Sequence, residues 1–245
     1  MPPWPYPLWI AHRGAGKLAP ENTLAAFKLG AQHGYRMFEC DAKFSADGQV
    51  FLLHDATLER TTNAQGTAGL RNWAELAQLD AGAWHSAAYA GERLCLLSEL
   101  SAWCVQQGHM LNIEIKPTPG LEAVTGERVA IEAARCWAHA PVPPLLTSFQ
   151  HDSLLAAKAV APDLPRGLLL DTPRDDGLDL AQSAGCVALV CRHALWQAAT
   201  VQAARSAGLR LLTYTVNDAQ EAQRLLDLGL DGIITDRVDL LGPGA

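Results

Sequence analysis

A chain of 245 residues that is 49% hydrophobic and only 18% charged is too apolar to remain disordered. It is also long enough to bury a core without disulfide staples. Its formal charge of −7 at pH 7 argues against nucleic acid, whose phosphate backbone calls for a basic face.

The N-terminus, Met-Pro-Pro-Trp-Pro, has neither the basic n-region nor the apolar h-region of a secretory signal. No later run approaches the roughly 20 apolar residues of a membrane helix. The expectation is a cytoplasmic protein without stable membrane insertion. The 6 cysteines form no C-x-x-C pair, and most lie in apolar runs as small buried hydrophobes.

Strand-like runs at 8–13, 37–44, 110–116, 145–149, 166–171, 187–192, 210–216 and 232–236 alternate with helical patterns. The helices are expected at 23–32, 97–107, 121–138, 152–160, 177–184, 196–207 and 219–228. Gly34, Gly108, Gly185, Gly208 and Gly229 follow helices where a left-handed cap would fall. Asp218 and Glu221 have capping-box spacing. Regular alternation implies parallel pairing, and about 31 residues per unit fits an α/β, (β/α)₈ TIM barrel. A doubly wound open sheet is the alternative. The whole chain, 1–245, reads as a single domain whose last helix is very short.

The segment at about 45–98, after the second strand, breaks the rhythm and reads as an inserted hairpin and loop on the C-terminal face. Asp47-Gly48 is a hairpin-turn dipeptide, followed by the strand-like run 50–54. A two-residue turn there would set Asp41 opposite His54, with Cβ atoms about 4.5–5.5 Å apart.

Barrel chemistry gathers at the C-terminal ends of strands. There the chain carries His12-Arg13, Glu39-Cys40-Asp41 and Glu114-Ile115-Lys116. Alternation puts Glu39 and Asp41 on one face, and Glu114 shares a face with Lys116. Three carboxylates brought together repel unless neutralised. A hard divalent cation does that, and oxygen ligands favour Mg²⁺, Ca²⁺ or Mn²⁺ over zinc. The alternative is a set of structural salt bridges with Arg13, Lys116 and Lys43. His12 and His54 beside such a cluster can act as general acid and base. His33, His85, His109, His139 and His151 read as structural, and His193 as a candidate for the rim.

The motifs His12-Arg13-Gly14, Pro20-Glu21-Asn22-Thr23, Glu39-x-Asp41, Asp47-Gly48, His54-Asp55, Arg60-Thr61-Thr62 and Glu114-Ile115-Lys116 resemble the signature of the glycerophosphodiester phosphodiesterase family, in its bacterial cytosolic type. The resemblance continues through Leu79-Asp80-Ala81-Gly82, Thr213-Tyr214-Thr215-Val216-Asn217 and Asp231-Gly232-Ile233-Ile234-Thr235-Asp236. It implies a metal-dependent barrel that hydrolyses glycerophosphodiesters to glycerol 3-phosphate and an alcohol. On that resemblance Glu39, Asp41 and Glu114 bind Ca²⁺ or Mg²⁺, His12 and His54 are the acid–base pair, and Arg13 and Lys116 hold the phosphate. The inserted segment covers the glycerol side. The glycerol 2-hydroxyl is expected to attack the phosphorus with His12 as base, and His54 to protonate the leaving alcohol.

Two positions depart from the family pattern. Tyr214 replaces a common Trp, keeping an aromatic wall against the substrate and adding a hydroxyl. Leu94-Cys95-Leu96-Leu97 replaces Ile-Pro-Thr-Leu before a helix. Rival readings are a phospholipase D-like or cyclising lyase acting on lipids, which would need an exposed apolar rim, and a non-catalytic barrel that binds phosphorylated ligands. The second predicts loss of a histidine or carboxylate, and all five are present.

Overall fold

The computed structural model describes residues 4–243; Met1, Pro2 and Pro3, part of the segment read for a leader, lie outside them. Nine strands form one sheet: β1 (Trp9–Ala11), β2 (Met37–Phe44), β3 (Val50–Leu52), β4 (Met110–Ile115), β5 (Leu145–Ser148), β6 (Arg166–Leu170), β7 (Ala188–Arg192), β8 (Arg210–Tyr214) and β9 (Gly232–Thr235). All but β3 run parallel, and β1 pairs with both β9 and β2, so eight strands close into the TIM barrel. The helices are α1 (Leu24–Gln32), α2 (Trp73–Leu76), α3 (Leu97–Gln107), α4 (Glu122–Cys136), α5 (His151–Val160), α6 (Gly177–Ser183), α7 (Ala198–Ser206) and α8 (Ala219–Asp227).

Both faces of each barrel strand are buried, which is why they read as near-continuous apolar runs. Ile10, Met37, Leu145, Leu169, Val190 and Leu212 fill the inside. Alternate residues such as Phe38, Cys40 and Ile113, or Leu168, Leu189 and Leu211, pack outward against helices. Four of the six cysteines are buried, as expected of small hydrophobes. Tyr6 closes the bottom, its hydroxyl donating to the Pro143 carbonyl at 2.9 Å. Above the apolar floor the inward positions turn polar, with Glu39, Asn112 and Thr147 all buried. Thr147 Oγ1 donates to Asn112 Oδ1 at 2.9 Å.

The helix ends follow the sequence in part. Thr23 caps α1 by accepting from the Ala26 N–H, and Gly108 closes α3 in the left-handed region at φ 69°. At α3, Leu96 stands at the N-cap without a capping oxygen. Its own N–H donates instead to Glu99 Oε2 at 3.1 Å. At α8 only half of the capping box forms. Asp218 accepts from the Glu221 N–H, while the Glu221 side chain turns to Arg224 and His193.

Two expectations are corrected. The hairpin register is one residue away from that of a two-residue turn: Ala42 pairs with Leu52 and Phe44 with Val50. The Gly48 N–H donates to the Ser45 carbonyl, and Gly48 lies at φ 87°. This is a three-residue loop with its glycine in the left-handed position. Leu53, not His54, therefore falls level with Asp41, and its N–H donates to the Asp41 carbonyl at 3.0 Å. After β9, a turn at 237–241 stands in place of the short last helix.

The insertion carries its own small core of Phe51, Leu53, Leu58, Ala68, Leu76, Ala81 and Leu94. Asp80 knots it together, accepting from the backbone N–H groups of Gly82, Ala83 and Gly91.

Candidate active site

The inward positions near the ends of β2 and β4 bring Glu39, Asp41 and Glu114 together. Each offers a carboxylate oxygen, and these oxygens lie within 4.8 Å of one another. Glu39 is 3% exposed and Asp41 is fully buried. Burial, then the charges of Asp41 and Glu114, push the Glu39 carboxyl well above its ordinary range. Burial and Asp41 raise Glu114 too, against Lys116. Burial also opposes the charge on Asp41, but Arg13, His54, Lys116 and the Asn22 amide outweigh it and hold that group low. Glu39 Oε1 and Asp41 Oδ1 are buried with no hydrogen-bond partner among the described residues. A buried carboxylate oxygen left unsatisfied is costly. Three carboxylates this close, two of them with such an oxygen and with no nitrogen or sulfur ligand among them, fit a hard divalent cation.

His12 lies just beyond β1, with its Nε2 3.8 Å from Glu39 Oε2 and its Nδ1 2.6 Å from Asp236 Oδ1. Asp236 follows β9, the neighbour of β1. Burial raises the Asp236 carboxyl, but His12, Asn217 and Arg13 more than offset it and hold the group at about 2. An ionised Asp236 requires the proton on His12 Nδ1, so in the neutral ring Nε2 is the acceptor and faces the cluster. His54 has the same arrangement: its Nδ1 is 2.7 Å from Asp55 Oδ1, and Asp55 is held at about 2, by Arg60 first. Burial, partly offset by the charge of Asp41, lowers the His54 pKa. His54 thus joins the site by following β3 out of the hairpin, without the cross-strand register expected for it.

The cations are engaged. Arg13 Nη1 donates to Glu21 Oε1 at 2.9 Å, and Arg13 Nε is 3.1 Å from Asp41 Oδ2 without hydrogen-bond alignment. Arg13 is a non-glycine residue at φ 51°, a conformation that turns its N–H onto Glu39 Oε2 at 3.1 Å. Lys116 Nζ is 2.7 Å from Glu114 Oε1. Lys43 is buried, and its Nζ donates to the backbone carbonyls of His54 and Asp55. Burial lowers its pKa to about 8.

Several positions that sequence reasoning did not place in the site belong to it. Asn22 donates to Asp41 Oδ2 at 2.9 Å and accepts from the Asp41 N–H. Arg60, on the insertion, bridges Asp55 at 2.6 Å to Glu21 at 2.7 Å. An unbroken path therefore runs from His54 through Asp55, Arg60, Glu21 and Arg13 to Asp41. Asp236, Asn22, Glu21 and Arg60 all sit inside the motifs noted above, and motif membership was the signal that could have found them. His85, read as structural, lines a cavity of about 330 Å³ with His12, Arg13, Lys17, Trp84 and Asp236.

Tyr214, at the end of β8, meets Phe149 edge-on at 5.8 Å, and its hydroxyl donates to the Leu170 carbonyl at 3.0 Å. Lys116 Nζ lies 5.2 Å from the centre of the Phe149 ring, so this aromatic wall continues into the carboxylate cluster. His193 is not brought to the cluster. Its Nδ1 is 2.6 Å from Glu221 at the start of α8.

The low pKa of Asp236 gives stability a pH dependence. An unfolded aspartate titrates near 3.9. Between that value and about 2 the unfolded chain binds more protons than the folded one. The stabilisation is present above pH ~4 and lost as the pH falls toward 2. Asp236→Asn is expected to show a shallower fall of melting temperature across this window than the wild type. An unchanged slope would contradict the assignment.

Two imidazoles, each held by its own carboxylate beside a buried carboxylate cluster at the C-terminal end of a TIM barrel, are groups able to exchange protons with a bound substrate. Comparison with known proteins gives the family. The model of the glycerophosphoryl diester phosphodiesterase family matches residues 12–240. A glycerophosphodiester phosphodiesterase of Caldanaerobacter subterraneus subsp. tengcongensis is 33% identical over 235 residues, covering 96% of each chain. One of Bacillus subtilis is 29% identical over 248 residues, covering 95% of this chain and 84% of its own. Among solved structures, an Oleispira antarctica phosphodiesterase in complex with the product sn-glycerol-3-phosphate superposes with a TM-score of 0.87. It is 33% identical, covering 94% of this chain and 93% of its own. The chain belongs to the glycerophosphoryl diester phosphodiesterase family.

Proposed function

We propose that the protein hydrolyses glycerophosphodiesters to sn-glycerol 3-phosphate and an alcohol, with 1–245 acting as one cytoplasmic catalytic unit. The observation that carries this reading is the convergence of Glu39, Asp41 and Glu114 with His12 and His54, each histidine backed by its own carboxylate. The sn-glycerol-3-phosphate in the Oleispira antarctica relative supports the substrate class.

Glu39, Asp41 and Glu114 would hold Mg²⁺ or Ca²⁺, with Mn²⁺ as the other hard candidate. When bound, such a cation neutralises phosphoryl charge and makes a nearby hydroxyl more acidic. His12 Nε2, free to accept, takes the proton from the glycerol 2-hydroxyl as that oxygen attacks phosphorus. The imidazolium so formed is stabilised by Asp236. His54 in its doubly protonated form, its charge stabilised by Asp55, gives a proton to the departing alcohol oxygen, so no alkoxide is released. Water then opens the cyclic phosphate with the two roles reversed. Arg13 and Lys116 hold the phosphoryl oxygens, and Tyr214 supplies an aromatic side to the substrate groove.

The test is release of sn-glycerol 3-phosphate from a panel of glycerophosphodiesters and a lysophospholipid. Release from the small diesters is expected. Cleavage of the lysophospholipid alone would replace this reading with a lipid-directed one.

Tyr214 is expected to shape binding and to exchange no proton, since its hydroxyl is already committed to Leu170. Tyr214→Phe should keep kcat within about threefold and lose about 1 kcal/mol of stability. Tyr214→Ala should chiefly raise KM. Kinetics and melting curves check both; a large kcat loss in the Phe variant at unchanged stability would put the hydroxyl in the chemistry.

A further inference from the structure

The proposed reacting groups lie on or just beyond β1, β2, β3 and β4, yet the facing wall of the barrel is also charged. Arg192 ends β7 in the alternation of Ala188 and Val190, which face the barrel interior. It is exposed, and its guanidinium has no hydrogen-bond or ion-pair partner among the described residues. Arg13, Lys43, Arg60 and Lys116 differ in this respect, each being engaged as described above. Asp171 follows β6 directly. The pairing of Leu170 with Cys191 sets it beside Arg192 on the neighbouring strand, and strands lie about 4.8 Å apart. Asp171 is exposed and forms no ion pair among the described residues; its one hydrogen bond is from the adjacent Thr172 hydroxyl at 3.4 Å.

Both charges reach the same aromatic wall. Burial chiefly raises the Tyr214 phenol, Asp171 raises it further and Arg192 opposes. Arg192 is also the direct cross-strand neighbour of Tyr214. Tyr214 contacts Phe149, over whose ring Lys116 lies. A substrate arm leaving the carboxylate cluster across this wall therefore meets an unpaired anion and an unpaired cation side by side. The insertion, with Trp84 and His85, lies on the other side, next to His12.

We propose that Asp171 and Arg192 form a headgroup subsite that selects glycerophosphodiesters whose alcohol carries an α-ammonium and a carboxylate, as serine does. Arg192 receives the carboxylate through paired N–H donors and Asp171 receives the ammonium. The inference rests on the proposed diesterase reading. A neutral headgroup finds no partner here, and an ammonium alone finds only Asp171.

The experiment compares kcat/KM for glycerophosphoserine, glycerophosphoethanolamine and glycerophosphoglycerol in the wild type, Arg192→Met, Arg192→Lys and Asp171→Asn. The wild type is expected to prefer the serine diester. Arg192→Met should lower the serine-to-glycerol ratio about tenfold or more and leave the ethanolamine-to-glycerol ratio in place. Arg192→Lys should keep most of the serine preference. Asp171→Asn should lower both the serine and ethanolamine ratios. If Arg192→Met lowers all three substrates equally, Arg192 serves the phosphate common to them and the subsite is refuted. Unchanged ratios in both the Arg192→Met and Asp171→Asn variants refute it as well, with the diesterase reading intact. A wild type that hydrolyses none of the three overturns the diesterase reading and the subsite together.

Discussion

His12→Ala and His54→Ala are each expected to lower kcat by at least about 10²-fold, the lower end of what positioned acid–base groups contribute. Both should retain the barrel, because both side chains lie at its C-terminal rim and keep some exposure, 17% for His12 and 28% for His54. Asp236→Asn and Asp55→Asn should lose part of the same effect. With an amide in place of Asp236 the proton is no longer required on His12 Nδ1, so the fraction of that ring with Nε2 free to accept falls; with an amide in place of Asp55, His54 loses the charge that stabilises its protonated, donating form. Turnover close to wild type in either alanine variant would remove that histidine from the mechanism. The double variant should cost less than the product of the single losses, since the two groups serve one reaction.

Asp41→Asn and Glu39→Gln are expected to weaken Mg²⁺ or Ca²⁺ binding by at least about 10²-fold, more than loss of an outer-shell partner would produce. Calorimetry reads this directly, with one equivalent bound by the wild type. Cation addition should also raise the wild-type melting temperature by mass action and raise that of the variants much less. The reason is the pair of buried oxygens, Glu39 Oε1 and Asp41 Oδ1, that nothing among the described residues satisfies. Equal cation affinity in wild type and variants would leave the cluster as a set of salt bridges with Arg13 and Lys116.

The barrel was legible because its strands carry short apolar runs and its helices end in glycines that must adopt positive φ, as Gly108 and Gly208 do. Glu39, Asp41 and Glu114 were legible because alternation along a strand is strict: once the strands are placed, the faces follow. The hairpin register was not. Asp47-Gly48 serves a two-residue or a three-residue loop equally well, and the difference moves the partner of Asp41 from His54 to Leu53. The orienting carboxylate of His12 was hidden for another reason. Asp236 lies 224 residues away in sequence and reaches His12 only because β9 closes the barrel against β1. Arg60 is similar, since its bridge to Glu21 depends on how the insertion folds back over the first loop.

Everything proposed for the reaction turns on Glu39, Asp41 and Glu114 holding a divalent cation that turnover requires. The most direct test is the rate of sn-glycerol 3-phosphate release from one glycerophosphodiester by rigorously metal-stripped protein, measured before and after Mg²⁺ or Ca²⁺ is restored. No release is expected from the stripped protein, with recovery on addition of the cation. Full turnover in the stripped protein would contradict the requirement.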